Sequence, residues 1–143
     1  MRLTNFSDLS IRVLLLAASA PGDLTTIDQT ATRLNVSRAH LMKVVNLLTR
    51  CGFLKAFRGR SGGFMLGAKP EDVNLGEVIA ATEHDFGLVE CMRPDNACAL
   101  TKICKLPGVL DAAVKAFHDE LSRYTLADIA VSSSDLNVIG LGR

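Results

Sequence analysis

Residues 25–66 carry the most restrictive pattern in the chain. Thr25 or Thr26 can cap a helix that places Ile27, Ala31 and Leu34 on one face. Asn35-Val36 leaves room only for a tight turn. Ser37 then caps a further helix, with Leu41, Val44, Val45 and Leu48 at the spacing of one buried face. Two short helices joined this closely predict a helix-turn-helix. Arg38, Ala39, Lys43 and Asn46 fall on the face opposite the apolar stripe. A polar, cationic outer face is what a reader of the DNA major groove needs. Ser37 and His40, in the same first turn, belong to the predicted contact set.

Gly52 is placed to stop the reader helix. Phe53, Leu54, Ala56 and Phe57 read as a strand. The turn Arg58-Gly59-Arg60-Ser61-Gly62-Gly63 follows, then the strand Phe64-Met65-Leu66. This predicts a β-hairpin whose tip offers Arg58, Arg60, Ser61 and Gly62 to phosphates or a narrow minor groove, as a wing does. Glycines allow the tip to lie close to a backbone. The fold class expected is mainly α with a small β-hairpin wing: a winged helix-turn-helix plus a long dimerisation helix.

The flanking segments complete this plan. A first helix, with Ser7 or Asp8 as expected cap, carries Leu9, Val13, Leu16 and Ala17 as its apolar stripe, and Pro21-Gly22-Asp23 ends it. Asn74 can cap a fourth helix through Val78, Ile79 and Ala81. Residues from Glu83 to Cys104 read as irregular. A longer helix spans Leu106 to Ser122, with Pro107 in its first turn and Leu110, Val114, Phe117 and Leu121 repeating along it. Residues 125–130 suggest one more short helix. Ser132-Ser133-Ser134 resembles a linker, and Leu136–Leu141 is apolar enough for a docked strand. The expected organisation is 1–80 for DNA reading, 81–105 for the cysteine segment, 106–131 for dimerisation and a short following helix, and 132–143 as a tail.

Charge supports the division. Asp28 and Glu71 bracket a stretch with no acid and eight bases; from Glu71 onward twelve acids face six bases. A basic first half joined to an acidic second half suits a DNA-contacting module with an appended element. No apolar run approaches the roughly 18–20 residues of a membrane span. Ile11–Ala20 is too short and follows Asp8 and Arg12 rather than a basic leader. A cytoplasmic protein is expected. No phosphate-binding glycine loop or Ser/His/Asp arrangement is present, so no enzyme site is predicted.

Four cysteines occur, three of them as Cys91-x6-Cys98-x5-Cys104. In a cytosolic chain, clustered thiols more often bind metal than form disulfides. Thiolates suit iron–sulfur clusters and zinc alike. Zinc sites more often contain a C-x2-C pair, absent here, although His84 and His118 could supply nitrogen. At this level cluster, zinc and unligated thiols all remain open. Cys51, beside the apolar stripe of the reader helix, is expected to be a small buried residue.

Several of these segments together resemble the iron–sulfur winged-helix transcription regulators: the opening from Met1 to Asp8, Val36-Ser37-Arg38, the wing from Arg58 to Gly67, the three-cysteine segment, and Tyr124-Thr125-Leu126-Ala127-Asp128. The resemblance covers nearly the whole chain. Within that superfamily, which includes the NsrR, IscR and RirA types, it is strongest to the nitric-oxide-sensing NsrR type. It implies a homodimeric repressor on a pseudo-palindromic operator in double-stranded DNA, with nitric oxide as signal. It also implies an iron–sulfur cluster, 4Fe–4S preferred over 2Fe–2S, on Cys91, Cys98 and Cys104, with Asp8 contributed by the other subunit. Arg12 would pair with that aspartate. Pro107 stands where IscR-type proteins carry a histidine. Lys43 stands where their readers often carry an acid, so no operator sequence follows. Sensing of iron or cluster status by the same fold, and a zinc-stabilised interaction module, are the alternative functions.

Overall fold

The computed structural model describes residues 2–59 and 62–141. Arg60 and Ser61, both expected at the wing tip, lie outside the described residues.

Helix α1 (Asn5–Ala18) is capped by Thr4, whose hydroxyl accepts the Ser7 amide at 3.2 Å. The cap therefore lies a turn earlier than Ser7 or Asp8, and this corrects the sequence-based placement. Ser7 cannot serve because it is fully buried and its hydroxyl donates to Glu83 at 2.8 Å. Leu9, Val13, Leu16 and Ala17 are buried as expected.

Helix α2 (Ile27–Leu34) opens with a reciprocal box between Thr26 and Gln29 and ends at Asn35, which takes the left-handed conformation. Helix α3 (Arg38–Arg50) follows the turn at once, capped by Ser37. Its Leu41, Val44, Val45 and Leu48 meet Leu9, Val13 and Leu14 of α1 in one core, joined by Phe64. Burying a side chain of this size is worth about 1.5–3 kcal/mol, so α1 and α3 form a closely packed base for the helix-turn-helix. Cys51 is the C-cap of α3 and is exposed, not buried. The helix stops at Arg50, and the cap position points out of the core face.

Strands β1 (Leu54–Phe57) and β2 (Gly63–Leu66) pair antiparallel, from Leu54 opposite Leu66 to Phe57 opposite Gly63. After a short 3-10 turn at Pro70–Asp72, Asn74 caps α4 (Leu75–Thr82). Residues 83–104 contain only one further 3-10 turn, Glu90–Met92.

Helix α5 (Leu106–Leu121) spans about 24 Å, yet none of its residues is buried. Leu110, Val114, Phe117 and Leu121 are half-buried, while Val109 is 65% exposed and the preceding Ile103 78% exposed. Its C-terminal end is seated on α4. Asn74 Nδ2 donates to the Ser122 carbonyl at 2.7 Å, and the Leu75 amide donates to the Tyr124 carbonyl at 3.0 Å. A last 3-10 turn, Leu126–Ile129, buries Leu126 in the main core.

The Ser132–Ser134 segment is not a linker. Ser132 and Asp135 form a capping box for α6 (Ser133–Val138), and Leu136 is buried. The apolar tail is thus helical rather than a strand. It returns to α2, where the Arg33 guanidinium donates to the Leu141 carbonyl, through Nε at 2.9 Å. Among the described residues no helix is long and apolar enough to cross a membrane.

Candidate functional site

The outer face of α3 is built as the periodicity requires. Arg38, Ala39, Met42, Lys43 and Asn46 are exposed, and Ser37 anchors the first turn by accepting the His40 amide at 3.2 Å. His40 is half-buried, its ring centroid 6.1 Å from that of Phe6 in α1. Arg38 is held by Asp28 of α2 at 3.0 Å. That carboxylate tempers the positive charge at the start of the reader, and sequence reasoning missed the pair because it spans two helices.

The hairpin stands beside this face, and between them runs a groove of about 590 Å³ lined by Arg38, Met42, Asn46, Phe57, Arg58 and Gly62. Its width is fixed by the tie between wing and helix-turn-helix: Phe64 and Thr25 exchange both backbone hydrogen bonds at 2.8 Å. The approach is so close that a Cβ on Gly63 would stand 2.6 Å from the Thr25 carbonyl oxygen. At the tip, a Cβ on Gly62 would stand 2.5 Å from the Phe57 carbonyl oxygen. These two positions exclude any side chain. Lys55 lies over the Phe57 ring, 5.5 Å from its centroid. Met42 and Phe57 add exposed apolar surface to a cationic groove, a combination that can meet both phosphates and thymine methyl groups. Met42 shares a face with Arg38 and Asn46, four residues away on either side, and that spacing was the available signal.

The thiols sit on the segment that leaves α4. Cys91, Cys98 and Cys104 are all free and half-buried. Cys98 and Cys104 bracket one turn: the Cys98 carbonyl accepts the Thr101 amide at 3.2 Å, and the Cys104 amide donates to the Leu100 carbonyl at 2.8 Å. Cys91 instead lines a cavity of about 400 Å³ with His84, Asp85, Met92, Pro107 and Asp111. Among the described residues no three cysteine, histidine or acidic side chains stand together as a metal-holding group. The three thiols form a soft donor set suited to iron–sulfur chemistry. Asp8 is exposed and pairs with Arg12 at 2.5 Å, one turn along α1.

The first turn of α1 is also gripped from below. Glu83, the C-cap of α4 and only 7% exposed, accepts the Thr4 amide at 2.9 Å, the Thr4 hydroxyl at 3.2 Å and the Ser7 hydroxyl. Nothing in the local pattern around Glu83 indicates a partner so far away in the chain.

The model of the Rrf2 family, described as iron-dependent transcriptional regulators, matches residues 3–132. This chain belongs to the Rrf2 family. The Rrf2 assignment makes it a transcriptional regulator. It is 44% identical over 138 residues to the HTH-type transcriptional regulator NsrR of Bacillus subtilis strain 168, covering 95% of this chain and 94% of that protein. It is 39% identical over 141 residues to NsrR of Halalkalibacterium halodurans, covering 97% of each. The Rrf2 fold is shared with the oxidised form of Staphylococcus aureus CymR, at TM-score 0.70 and 21% identity over 91% of this chain and 96% of that one. It is shared too with T. potens IscR, at TM-score 0.67 and 22% identity over 90% and 85%.

Proposed function

We propose that this Rrf2 protein is a nitric-oxide-responsive repressor that reads a pseudo-palindromic DNA site as a homodimer. Residues 1–80 read DNA, 81–105 sense, 106–131 pair two copies, and 132–143 form a tail docked on α2. Each α3 enters a major groove with Ser37, Arg38, Ala39, His40 and Lys43 at its leading face. Each wing brings Arg58, Arg60, Ser61 and Gly62 to the flanking backbone. Cys91, Cys98 and Cys104 would hold an iron–sulfur cluster, 4Fe–4S in preference to 2Fe–2S, with Asp8 of the partner subunit as the remaining ligand. When bound, the cluster supplies iron that reacts with nitric oxide.

The observation that carries this reading is the placing of three free, half-buried thiols on a segment with almost no regular structure, between the reader and α5. That segment can rearrange at little cost, because few backbone hydrogen bonds hold it. The exposed apolar residues of α5 and of the stretch before it suit burial against a second copy. Asp8 is exposed on α1 and paired with Arg12. Release of the ligands would free the segment and shift the balance between two arrangements of the paired readers. A coupling of about 1–3 kcal/mol changes DNA affinity roughly 5–150-fold.

The test is DNA affinity of anaerobically purified protein before and after nitric oxide, with iron and sulfide content and Mössbauer spectra measured alongside. A large drop in affinity is expected; equal affinity in both states refutes nitric-oxide sensing. The family description favours one second reading, response to iron supply, and that reading requires a chelator to release DNA at lower stoichiometry than nitric oxide. A colourless preparation with one zinc per chain refutes both.

A further inference from the structure

We infer that this chain carries a second binding site, apart from the thiols, for a small monocarboxylate with an apolar body. The site is a cavity of about 460 Å³ where the stretch before α1, the segment leaving α4 and the C-terminal half of α5 meet. Among the described residues no cysteine lines it, and the inference does not rest on iron or nitric oxide. Small-molecule sites are cavities of a few hundred cubic ångströms, mostly apolar, with a few convergent polar groups. This cavity has that make-up. Leu3, Phe86, Leu88 and Phe117 supply the apolar wall, and Arg2 and Arg93 bring a guanidinium group each. Leu88 is 38% exposed, so part of that wall is still open to cover.

Two acids also line the cavity, and both are already engaged. Glu83 is buried, with its Oε2 accepting from Thr4 and Ser7. Asp85 Oδ1 accepts the Gly87 amide at 2.7 Å, and its Oδ2 stands 3.7 Å from Arg93 Nε. Both partners of that ion pair are more than half exposed, so it contributes little and gives way to a better-placed anion. It occupies only Nε, which leaves the two terminal nitrogens of Arg93 as a fork for a carboxylate. The Arg2 guanidinium has no ion pair or hydrogen bond among the described residues. Gly87 makes room for this arrangement. A Cβ there would stand 2.8 Å from Asp85 Oδ1 and 3.3 Å from Arg93 Cγ, so only glycine lets the Arg93 stem lie against the backbone. A bare anion would leave the apolar wall in water, and a neutral hydrocarbon would leave both guanidinium groups without a partner. A carboxylate on an apolar body answers both.

The test uses the full-length chain, purified anaerobically, with octanoate and phenylacetate as probes and octanol and acetate as comparison ligands. Titration calorimetry, melting temperature and amide exchange by mass spectrometry are measured. The expected result is saturable binding of one carboxylate per chain, with a dissociation constant below about 1 mM, and a raised melting temperature. Octanol and acetate should each bind about tenfold more weakly or worse, because each lacks one half of the recognition. The tighter of the two carboxylates tells a chain-like ligand from a ring-like one. Amide exchange should slow across residues 84–93 and stay unchanged in α3. Arg93→Gln and Arg2→Gln should each weaken octanoate about tenfold or more, the worth of a hydrogen bond to a charged group. Should Arg93→Gln fail to fold, Arg2→Gln decides, since Arg2 is exposed. The inference is overturned by no saturable carboxylate binding, by several molecules per chain, by octanol binding as tightly as octanoate, or by full affinity in both arginine variants. Carboxylate binding by a preparation that holds no iron sinks the proposed function and leaves this site standing; a full nitric-oxide response without carboxylate binding does the reverse.

Discussion

Gly76→Ala sets two effects of opposite sign against each other. Gly76 lies in the first turn of α4, where alanine is better than glycine by at most about 1 kcal/mol, and less near a helix end. Against that gain, a Cβ at position 76 would stand 2.1 Å from Ser122 Oγ and 3.0 Å from both Ser122 Cα and Ser122 N. The hydroxyl can swing aside if it gives up its 2.9 Å bond to the His118 carbonyl. The Cα and the amide cannot, because they belong to the C-cap of α5. Relief requires α5 to lift from α4, which stretches the bonds from Asn74 to Ser122 and from Leu75 to Tyr124. Overpacking costs about 1–3 kcal/mol, and each weakened hydrogen bond adds roughly 0.5–1.5 kcal/mol. The net expectation is destabilisation of about 1–6 kcal/mol, a fall in melting temperature of roughly 3 °C or more. Urea unfolding at fixed protein concentration measures it as a lower midpoint with an unchanged slope. Gly108→Ala is the control. It lies in the first turn of α5 with nothing within 4 Å of its would-be Cβ, and it should stabilise by about 0.4–1 kcal/mol. If Gly76→Ala matches or exceeds wild type, the close seating of α5 on α4 is wrong.

Lys43→Gln is expected to weaken binding to all DNA sequences alike and to lower the slope of log affinity against log salt by about 1; an unchanged slope in a salt titration removes Lys43 from the interface. Val109→Asp, at a position 65% exposed on α5, should give a monomer by sedimentation while far-ultraviolet circular dichroism retains the helices; a persistent dimer rules out pairing through that face. The pKa values of Asp128 and Asp135 lie below the usual aspartate value because their carboxylates accept hydrogen bonds from Thr125 and Ser132 respectively. Their contribution to local order is therefore present above the unfolded-state pKa and is lost as pH falls through the depressed folded values. Carboxyl NMR titration should find both midpoints below the usual aspartate value, and ordinary midpoints would refute the caps.

The reader was legible because a period of 3.6 residues needs only local information. Leu41, Val44, Val45 and Leu48 declare a buried face whatever surrounds them, and Arg38, Lys43 and Asn46 then have only the opposite side. The α1 cap was misplaced because Ser7, a good cap by residue type, is claimed by Glu83 from the far end of α4. Cys51 was misjudged because one residue decides whether a side chain ends inside the stripe or at the cap beyond it. At Ser132 composition suggested a linker, while the three-residue spacing to Asp135 carried the true signal of a helix start. The thiol segment marks the limit of local reading. Spacing picks out three candidate thiols, but in the proposed cluster their assembly would depend on a loop with few internal bonds and on Asp8 of the partner subunit.

In the proposed dimer, helix α5, which buries none of its residues, sets how control of the target gene scales with the amount of protein. When two identical copies must meet before a palindrome is read, occupancy at low abundance rises with the square of the amount of protein in the cell. Halving synthesis then cuts operator filling about fourfold. A copy with a damaged reader but an intact α5 would be worse than no copy, because it would draw functional partners into dead pairs.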